Sequence, residues 1–351
     1  MRRALLVARR GWGRTAPNPM VGAVVVRDGK VVGEGWHAEF GGPHAEATAL
    51  EKAGERARGA DVYVSLEPCA HHGKTPPCAD ALIAAGVARV IVAINDPNTE
   101  AAGGIAKLRA AGIAVTEGVE AEGAAELNTA FLFAHRDPTR PFVTLKLAIS
   151  LDGGIAPSDR TQRWLTGEPA RKEVHRLRSG ADAVGIGIGT ALADDPLLTV
   201  RYGRRPRIAP ARVVFDQKAR LPIGSQLVKT AKKVRTWVLA DRPDPATVGA
   251  LAAKGVEVLD GHGLPAQLAR LREAGIRDLL VEGGQGLAGA LLSGGFVDRL
   301  IIFQAPVLLG AGALPAFGAV SPGSGAPDSW RVVERREFGD DLMTIYAPAG
   351  R

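Results

Sequence analysis

At 351 residues, with 46% apolar and 23% charged residues, the chain has the composition of a folded globular protein of roughly two domains, which excludes a disordered one. The net charge of +7 comes from basic residues, mostly Arg, spread along the whole chain. Without a basic block interleaved with aromatics, no nucleic-acid partner is expected, and small phosphorylated substrates are the better match for the cations.

In chain order, the apolar stretch 4–8 between arginines is too short for a signal peptide or for a membrane span of about 20 residues. A cytoplasmic protein with no membrane partner is expected. Residues 21–27 and 30–34 are apolar runs joined by Asp28-Gly29, a hairpin signal because both central turn positions need positive φ. Gly41-Gly42-Pro43 breaks the chain, and the spacing of Ala49, Leu50 and Ala53 predicts a helix over 45–57. A strand over 61–66, a short helix over 78–85 stopped by Gly86, and a strand over 89–94 ending at Asn95-Asp96-Pro97 follow. Strands separated by helices predict an α/β layer sandwich.

After a helix around 123–133, the polar segment 134–141 with two prolines marks a domain boundary between 1–139 and 141–351. A second α/β pattern begins there. Its predicted strands cover 142–148, 183–187, 212–216, 236–240, 256–259, 278–281 and 300–305.

The chemistry concentrates on His44-Ala45-Glu46, Pro68-Cys69 and Cys78. Two cysteines in a cytosolic enzyme suit a metal better than a disulfide. One imidazole and two thiolates balance the charge of a zinc dication and leave its fourth tetrahedral position open, as catalysis needs. His71 or His72 as a fourth ligand would instead close a structural site, an alternative that stays open here. Each cysteine follows a proline at an expected helix start, where free amide N–H groups favour the thiolate. Glu46 lies two residues after His44 and would not face the same way on a regular helix. It is suited to taking a proton from water at the open position and returning it to leaving ammonia. His-x-Glu with Pro-Cys is the known signature of zinc deaminases. The common pattern has two residues between the cysteines, whereas eight intervene here. That loop carries His71, His72, Gly73, Lys74 and Thr75, suited to phosphate or sugar oxygens, with a solvated loop tip as the alternative.

In the second half, Gly185-Ile186-Gly187-Ile188-Gly189-Thr190 has its third glycine misplaced for a dinucleotide fingerprint. It reads as a close backbone approach at a strand end, with Thr190 free for a cofactor hydroxyl or phosphate. Gly283-Gly284-Gln285-Gly286, ahead of a helical 287–292, fits a pyrophosphate at a helix N-terminus; a tight strand-to-helix turn is the alternative.

Taken together, these motifs resemble the bifunctional pyrimidine deaminase/uracil reductase family of riboflavin biosynthesis. The resemblance runs through Thr15-Ala16-Pro17-Asn18-Pro19, Pro43-His44-Ala45-Glu46, Leu66-Glu67-Pro68-Cys69, the loop to Cys78, and Asn95-Asp96-Pro97-Asn98. Past the boundary it continues in Lys146-Leu147-Ala148, Ser150-Leu151-Asp152-Gly153, Leu192-Ala193-Asp194-Asp195-Pro196, Leu198-Thr199-Val200-Arg201 and Val281-Glu282-Gly283-Gly284.

It implies a cytidine-deaminase-like three-layer α/β/α domain followed by a dihydrofolate-reductase-like α/β domain, with Zn2+ and NADPH as the cofactors. The implied reactions are deamination of 2,5-diamino-6-(5-phospho-ribosylamino)pyrimidin-4-one and reduction of the product's ribosyl group to ribityl, in a homo-oligomer. Asn18, His71 and Lys74 are then deaminase substrate residues. Lys146, Asp194 and Glu282 stand near the reductase chemistry, with Gln162, Arg178, Leu198, Arg201 and Glu282 toward its substrate. Ala148, Trp164, Thr190, Asp194, Gln217, Gly284, Gln285, Gly286, Leu287, Ala288, Gly289 and Ala290 would meet the cofactor. Gln162 and Gln217 stand where the family commonly has serine. A nucleic-acid or nucleoside base deaminase with an accessory C-terminal binding domain is the rival; it predicts two residues between the cysteines and a concentrated basic stripe, and the sequence has neither.

Overall fold

The computed structural model describes residues 1–71, 76–159, 164–318, 320 and 329–349. The chain divides into two compact units, Met1–Asp137 with Pro206–Ile208, and Pro138–Arg205 with Ala209–Arg351. Among the described residues no helix is long and apolar enough to cross a membrane.

The first unit contains α1 (Arg2–Ala8), β1 (Gly22–Arg27), β2 (Lys30–Trp36), α2 (Ala45–Ala53), β3 (Asp61–Val64), α3 (Cys78–Ala84), β4 (Arg89–Val92), α4 (Gly104–Ala110), β5 (Ala114–Glu117), α5 (Ala121–Leu127) and α6 (Thr129–Arg136). Its sheet runs β2-β1-β3-β4-β5, with β1 antiparallel to both neighbours and β3, β4 and β5 parallel. Alternation along β1 sends Ala23 and Val25 to the core shared with α2, α3 and α4, and Val24 to the opposite face against Ala4 and Val7 of α1. Helices on both faces make the three layers. The hairpin turn holds Asp28 at φ 52° and Gly29 at φ 74°, the positive values that this dipeptide predicts.

Two glycines set how deeply α2 sits. A Cβ on Gly35 would lie 2.1 Å from the Ala45 carbonyl oxygen, and one on Gly33 2.2 Å from that of Ala49. The helix therefore rests backbone to backbone on β2. The predicted helix over 45–57 stops earlier, because Gly54 turns to φ 55° and a 3-10 turn follows over Gly54–Ala57. The helix expected around 123–133 is two helices. Asn128 breaks it by accepting from the Met20 N–H (2.8 Å) and donating to the Met20 carbonyl (3.0 Å), a tertiary bond that local propensity does not reveal.

The second unit contains β6 (Phe142–Ile149), β7 (Gly154–Ala156), α7 (Glu168–Gly180), β8 (Ala183–Gly187), α8 (Ile188–Asp194), β9 (Ala211–Phe215), α9 (Gln226–Lys229), β10 (Thr236–Ala240), α10 (Pro245–Ala253), β11 (Val256–Asp260), α11 (Gly263–Glu273), β12 (Asp278–Val281), α12 (Gln285–Ser293), β13 (Arg299–Gln304), β14 (Leu314–Pro315), β15 (Trp330–Phe338) and β16 (Asp341–Pro348). Nine strands form one sheet in the order β11-β10-β9-β8-β12-β6-β13-β16-β15. The seven from β11 to β13 are parallel and correspond to the seven apolar runs of the sequence; the closing β15–β16 hairpin is antiparallel. Both faces of the parallel strands are covered, with Val143, Leu145, Val213 and Leu239 in one apolar cluster and Val184, Val214 and Val238 in another. At the start of β12, Asp182 accepts from the Arg277 and Asp278 N–H groups. Burial, reinforced by the nearby Asp182 charge, pushes the Asp278 carboxyl up to about 7.

Candidate active sites

In the first unit, residues that follow β2 (His37, Phe40, Gly41 and Gly42) and Leu66, Glu67 and Cys69 line one cavity. His44 is the residue before α2, with extended backbone (φ −73°, ψ 161°), so its ring projects from the helix mouth. Cys69 and Cys78 are buried, Cys78 as the first residue of α3. His44 Nδ1 lies 3.2 Å from Cys78 Sγ and 3.5 Å from Cys69 Sγ, and the Cys78 N–H donates to Cys69 Sγ at 3.3 Å. Ligands around a tetrahedral zinc stand about 3.5 Å apart for a nitrogen and a sulfur, so the donor set fits the ion with little rearrangement. The hydrogen bond with Cys78, helped by His44, holds the Cys69 thiol down at about 4. The same hydrogen bond, with burial, pushes Cys78 up. A dication between the two sulfurs would favour the thiolate at both.

Glu46 occupies the first turn of α2 and is 3% exposed. Burial raises its carboxyl to about 7, against the opposing pull of backbone hydrogen bonding and His44. The carboxyl faces a cavity of about 340 Å³, within the range of small-molecule sites, whose wall also includes Asn18, His37, Phe40, His71 and Asn98. The sequence-predicted Asn18 and His71 thus line the cavity beside the zinc donors. Lys74 lies outside the described residues.

Sequence reasoning missed two residues here. His37 is buried, and its Nδ1 faces the Pro43 carbonyl at 3.1 Å. A carbonyl only accepts, so the ring proton sits on Nδ1, and Nε2 accepts from Asn18 Nδ2 at 3.2 Å. Asn18 is thereby turned to offer its Oδ1. Glu67, next to Pro68-Cys69, accepts from the N–H groups of Asp96 (3.3 Å), Gly103 (2.9 Å) and Ile105 (3.1 Å), tying the Cys69 segment to the start of α4. Gly104 completes the joint: a Cβ there would stand 1.7 Å from the Pro68 carbonyl oxygen. A carboxylate beside a Pro-Cys pair is the signal that would have pointed to Glu67.

In the second unit, Lys146 on β6, Arg178 on α7 and Glu282 just after β12 converge. Arg178 Nε donates to Glu282 Oε1 at 2.5 Å, Nη2 to Oε2 at 2.9 Å, and Nη1 to the Thr199 carbonyl at 3.1 Å. The ion pair is largely withdrawn from solvent, with side chains 12% and 13% exposed. Burial alone would raise the Glu282 carboxyl, but Arg178 and then Lys146 overcome it and hold the group at about 2. Burial lowers the Lys146 ammonium, with Glu282 opposing. Leu198 is buried at φ 53°, and the Arg201 side chain is exposed. With Arg178 committed to Glu282 and Thr199, Arg201 is the better placed of the two for an incoming anion.

The two glycine segments of this unit lie side by side. A Cβ on Gly284 would be 3.1 Å from Thr190 Oγ1, and one on Gly187 3.4 Å from Leu287 Cβ. Gly284 precedes α12, whose Ala288 N–H is already bonded to the Gly284 carbonyl, so the N–H groups of Gln285, Gly286 and Leu287 form its open end. Ala288 and Gly289 are buried, while Gly286 and Ala290 are exposed. Ala148 is half-buried on β6, Asp194 closes α8 on its exposed side, and Gln217 is exposed just after β9. Trp164 is 54% exposed under the Arg171 guanidinium, 5.4 Å from the ring centre. Gln162 lies outside the described residues.

Residues 1–94 match the family model for the cytidine and deoxycytidylate deaminase zinc-binding region, and 141–344 the model for the RibD C-terminal domain. The molecule is therefore a zinc deaminase joined to a reductase with a dihydrofolate-reductase-like fold. Riboflavin biosynthesis protein RibD of Aquifex aeolicus is 43% identical over 315 residues, covering 89% of this chain and 87% of that protein. RibD of Escherichia coli is 43% identical over 330 residues, covering 89% and 88%. Among solved structures, a diaminohydroxyphosphoribosylaminopyrimidine deaminase/5-amino-6-(5-phosphoribosylamino)uracil reductase of Thermotoga maritima superposes with a TM-score of 0.85 at 36% identity, covering 99% of this chain and 97% of that one. The chain belongs to the RibD family of bifunctional deaminase/reductases of riboflavin biosynthesis.

Proposed function

We propose that this chain deaminates 2,5-diamino-6-(5-phospho-ribosylamino)pyrimidin-4-one and then reduces the ribosyl group of 5-amino-6-(5-phosphoribosylamino)uracil to ribityl, with residues 1–139 serving the first step and 141–351 the second. The observation that carries the deaminase half is Glu46, buried beside His44, Cys69 and Cys78 at the wall of a small-molecule cavity. The printed name of the Thermotoga protein supports the substrates. Zinc, when bound by His44, Cys69 and Cys78, supplies a positive centre that makes water nucleophilic near neutral pH. Glu46, with a carboxyl near 7, accepts the proton and passes it to the departing amine. Asn18 Oδ1 accepts from a pyrimidine N–H, and His71 and Lys74 serve the ribose phosphate.

In the second half, NADPH supplies the hydride when bound. The open end of α12 at Gly284, Gln285, Gly286 and Leu287 suits its pyrophosphate, with Ala288, Gly289 and Ala290 continuing that wall. Thr190, Asp194, Gln217, Ala148 and Trp164 complete the cofactor side. Lys146 holds the proton for the reacting oxygen, with Glu282 beside it and Asp194 as a further acid of the set, while Arg178, Leu198 and Gln162 meet the substrate and Arg201 its phosphate. The adjacent free thiols support a cytoplasmic setting, and the family resemblance supports a homo-oligomer.

The test is incubation with the diaminopyrimidine phosphate, with and without NADPH, following ammonia and NADPH separately. Ammonia should appear in both cases and NADPH fall only when supplied. Glu46→Gln should retain zinc and lose ammonia release; near-normal release would remove Glu46 as the proton carrier.

A further inference from the structure

His175 has no role in the chemistry assigned above, yet it is 4% exposed on α7, one turn before Arg178. Its Nδ1 accepts the Arg201 backbone N–H at 3.1 Å, which places the ring proton on Nε2. The Tyr202 ring stands edge-on to it, 5.0 Å between centroids. Two further side chains hold the same segment: Arg178 donates to the Thr199 carbonyl at 3.1 Å and Arg212, fully buried, to that of Leu197 at 3.4 Å.

Between these anchors Leu198 stands at φ 53°. That backbone conformation is strained for a non-glycine residue and persists where the surroundings impose it. The segment is thus held in place by side chains of α7 and β9, and His175 grips it at the residue whose guanidinium is exposed. Arg178, Arg201 and Glu282 are the charged groups around the ring, and burial with the two arginines keeps the imidazole neutral and able to accept.

We infer that His175 is a positioning residue for the reductase, aiming Arg201 at the substrate phosphate by fixing the Arg201 backbone; this rests on the reading of Arg201 given under the proposed function. Phosphate recognition by this half of the enzyme then depends on a residue that never touches substrate.

The test uses the full chain and three variants. His175→Phe keeps a ring against Tyr202 but removes the acceptor, and His175→Asn places an acceptor oxygen where Nδ1 stands. Arg201→Met removes the cation itself. Reductase kcat and KM are measured with the phosphorylated substrate and with its dephosphorylated analogue, and NADPH binding is measured directly to report that the unit is folded. His175→Phe should raise KM for the phosphorylated substrate by roughly tenfold, the worth of about one good hydrogen bond, with kcat and NADPH binding near wild type. KM for the dephosphorylated analogue should not move, and His175→Asn should recover most of the loss. Equal effects on the two substrates, a fall in kcat at constant KM, or no recovery in His175→Asn would overturn the inference. If Arg201→Met loses phosphate preference and His175→Phe keeps it, the role of His175 alone fails. If Arg201→Met keeps that preference, the reading of Arg201 fails and the inference goes with it.

Discussion

Replacing Glu282 by glutamine keeps the shape of the side chain and removes the carboxylate that Arg178 and Lys146 both face. Holding that carboxyl at about 2, against an ordinary 4.5, corresponds to about 3 kcal/mol of stability at neutral pH. Breaking a buried pair by removing one partner costs about 3–5 kcal/mol in other proteins, so two independent routes agree on the size. Urea unfolding at pH 7, followed by fluorescence of buried Trp237, reads the effect in the reductase unit. With a slope of about 2 kcal/mol per M, the midpoint should fall by ~1.5 M. The pH dependence has a definite sign. A carboxyl whose folded value is depressed contributes fully above its unfolded value and loses that contribution as pH falls toward the folded one. The gap between wild type and Glu282→Gln should therefore be constant from pH 7 to 5 and narrow below about 4.5. A gap under about 1 kcal/mol at pH 7, or one that does not narrow in acid, would refute the account of Glu282 as the counter-ion of this cluster.

Asp278→Asn should behave oppositely. The folded carboxyl is raised to about 7, so wild type loses stability as pH climbs from about 4 to 7, while the asparagine variant does not. The Tm advantage of the variant should be larger at pH 8 than at pH 4, and an equal difference at both would count against it. Glu67→Gln should loosen the Cys69 segment and weaken zinc binding by about 10–100-fold in chelator competition, with NADPH oxidation intact. Unchanged zinc affinity would show that the Glu67 bonds do not hold the ligand. Gly35→Ala should displace α2 at a cost of about 1–3 kcal/mol and abolish most ammonia release while sparing the reductase, as measured on one preparation. Normal deamination in that variant would mean that α2 tolerates the shift.

The zinc donors were legible because their chemistry is written into adjacent residues: a His-x-Glu pair and two Pro-Cys pairs carry their own spacing. The seven parallel strands were legible as apolar runs because both of their faces are covered. What escaped depends on partners distant in sequence. The orientation of Asn18 follows from His37, and that of His37 from the Pro43 carbonyl. Asn128 breaks a helix only because Met20 lies beside it. The strand Trp330–Phe338 reads as a charge run, RVVERREF after its first residue, and none of its residues is buried. His175 was invisible for a related reason, since its partner Arg201 lies 26 positions away.

The glycines at 35 and 104 carry no chemistry, yet each stands against the carbonyl of a segment that presents zinc donors, Ala45 in one case and Pro68 in the other. Their contribution is an absence of atoms. In a screen of random variants, these two positions should be among the least permissive of the first unit, and the substitutions they reject should include alanine, the smallest change available. A family drifting in sequence can exchange most side chains around this pocket for others of similar size, but there is no smaller residue from which these two positions could start. The metal centre is thus bounded by two places where the chain has no room to vary, one beneath the helix of His44 and Glu46 and one beneath the loop of Cys69.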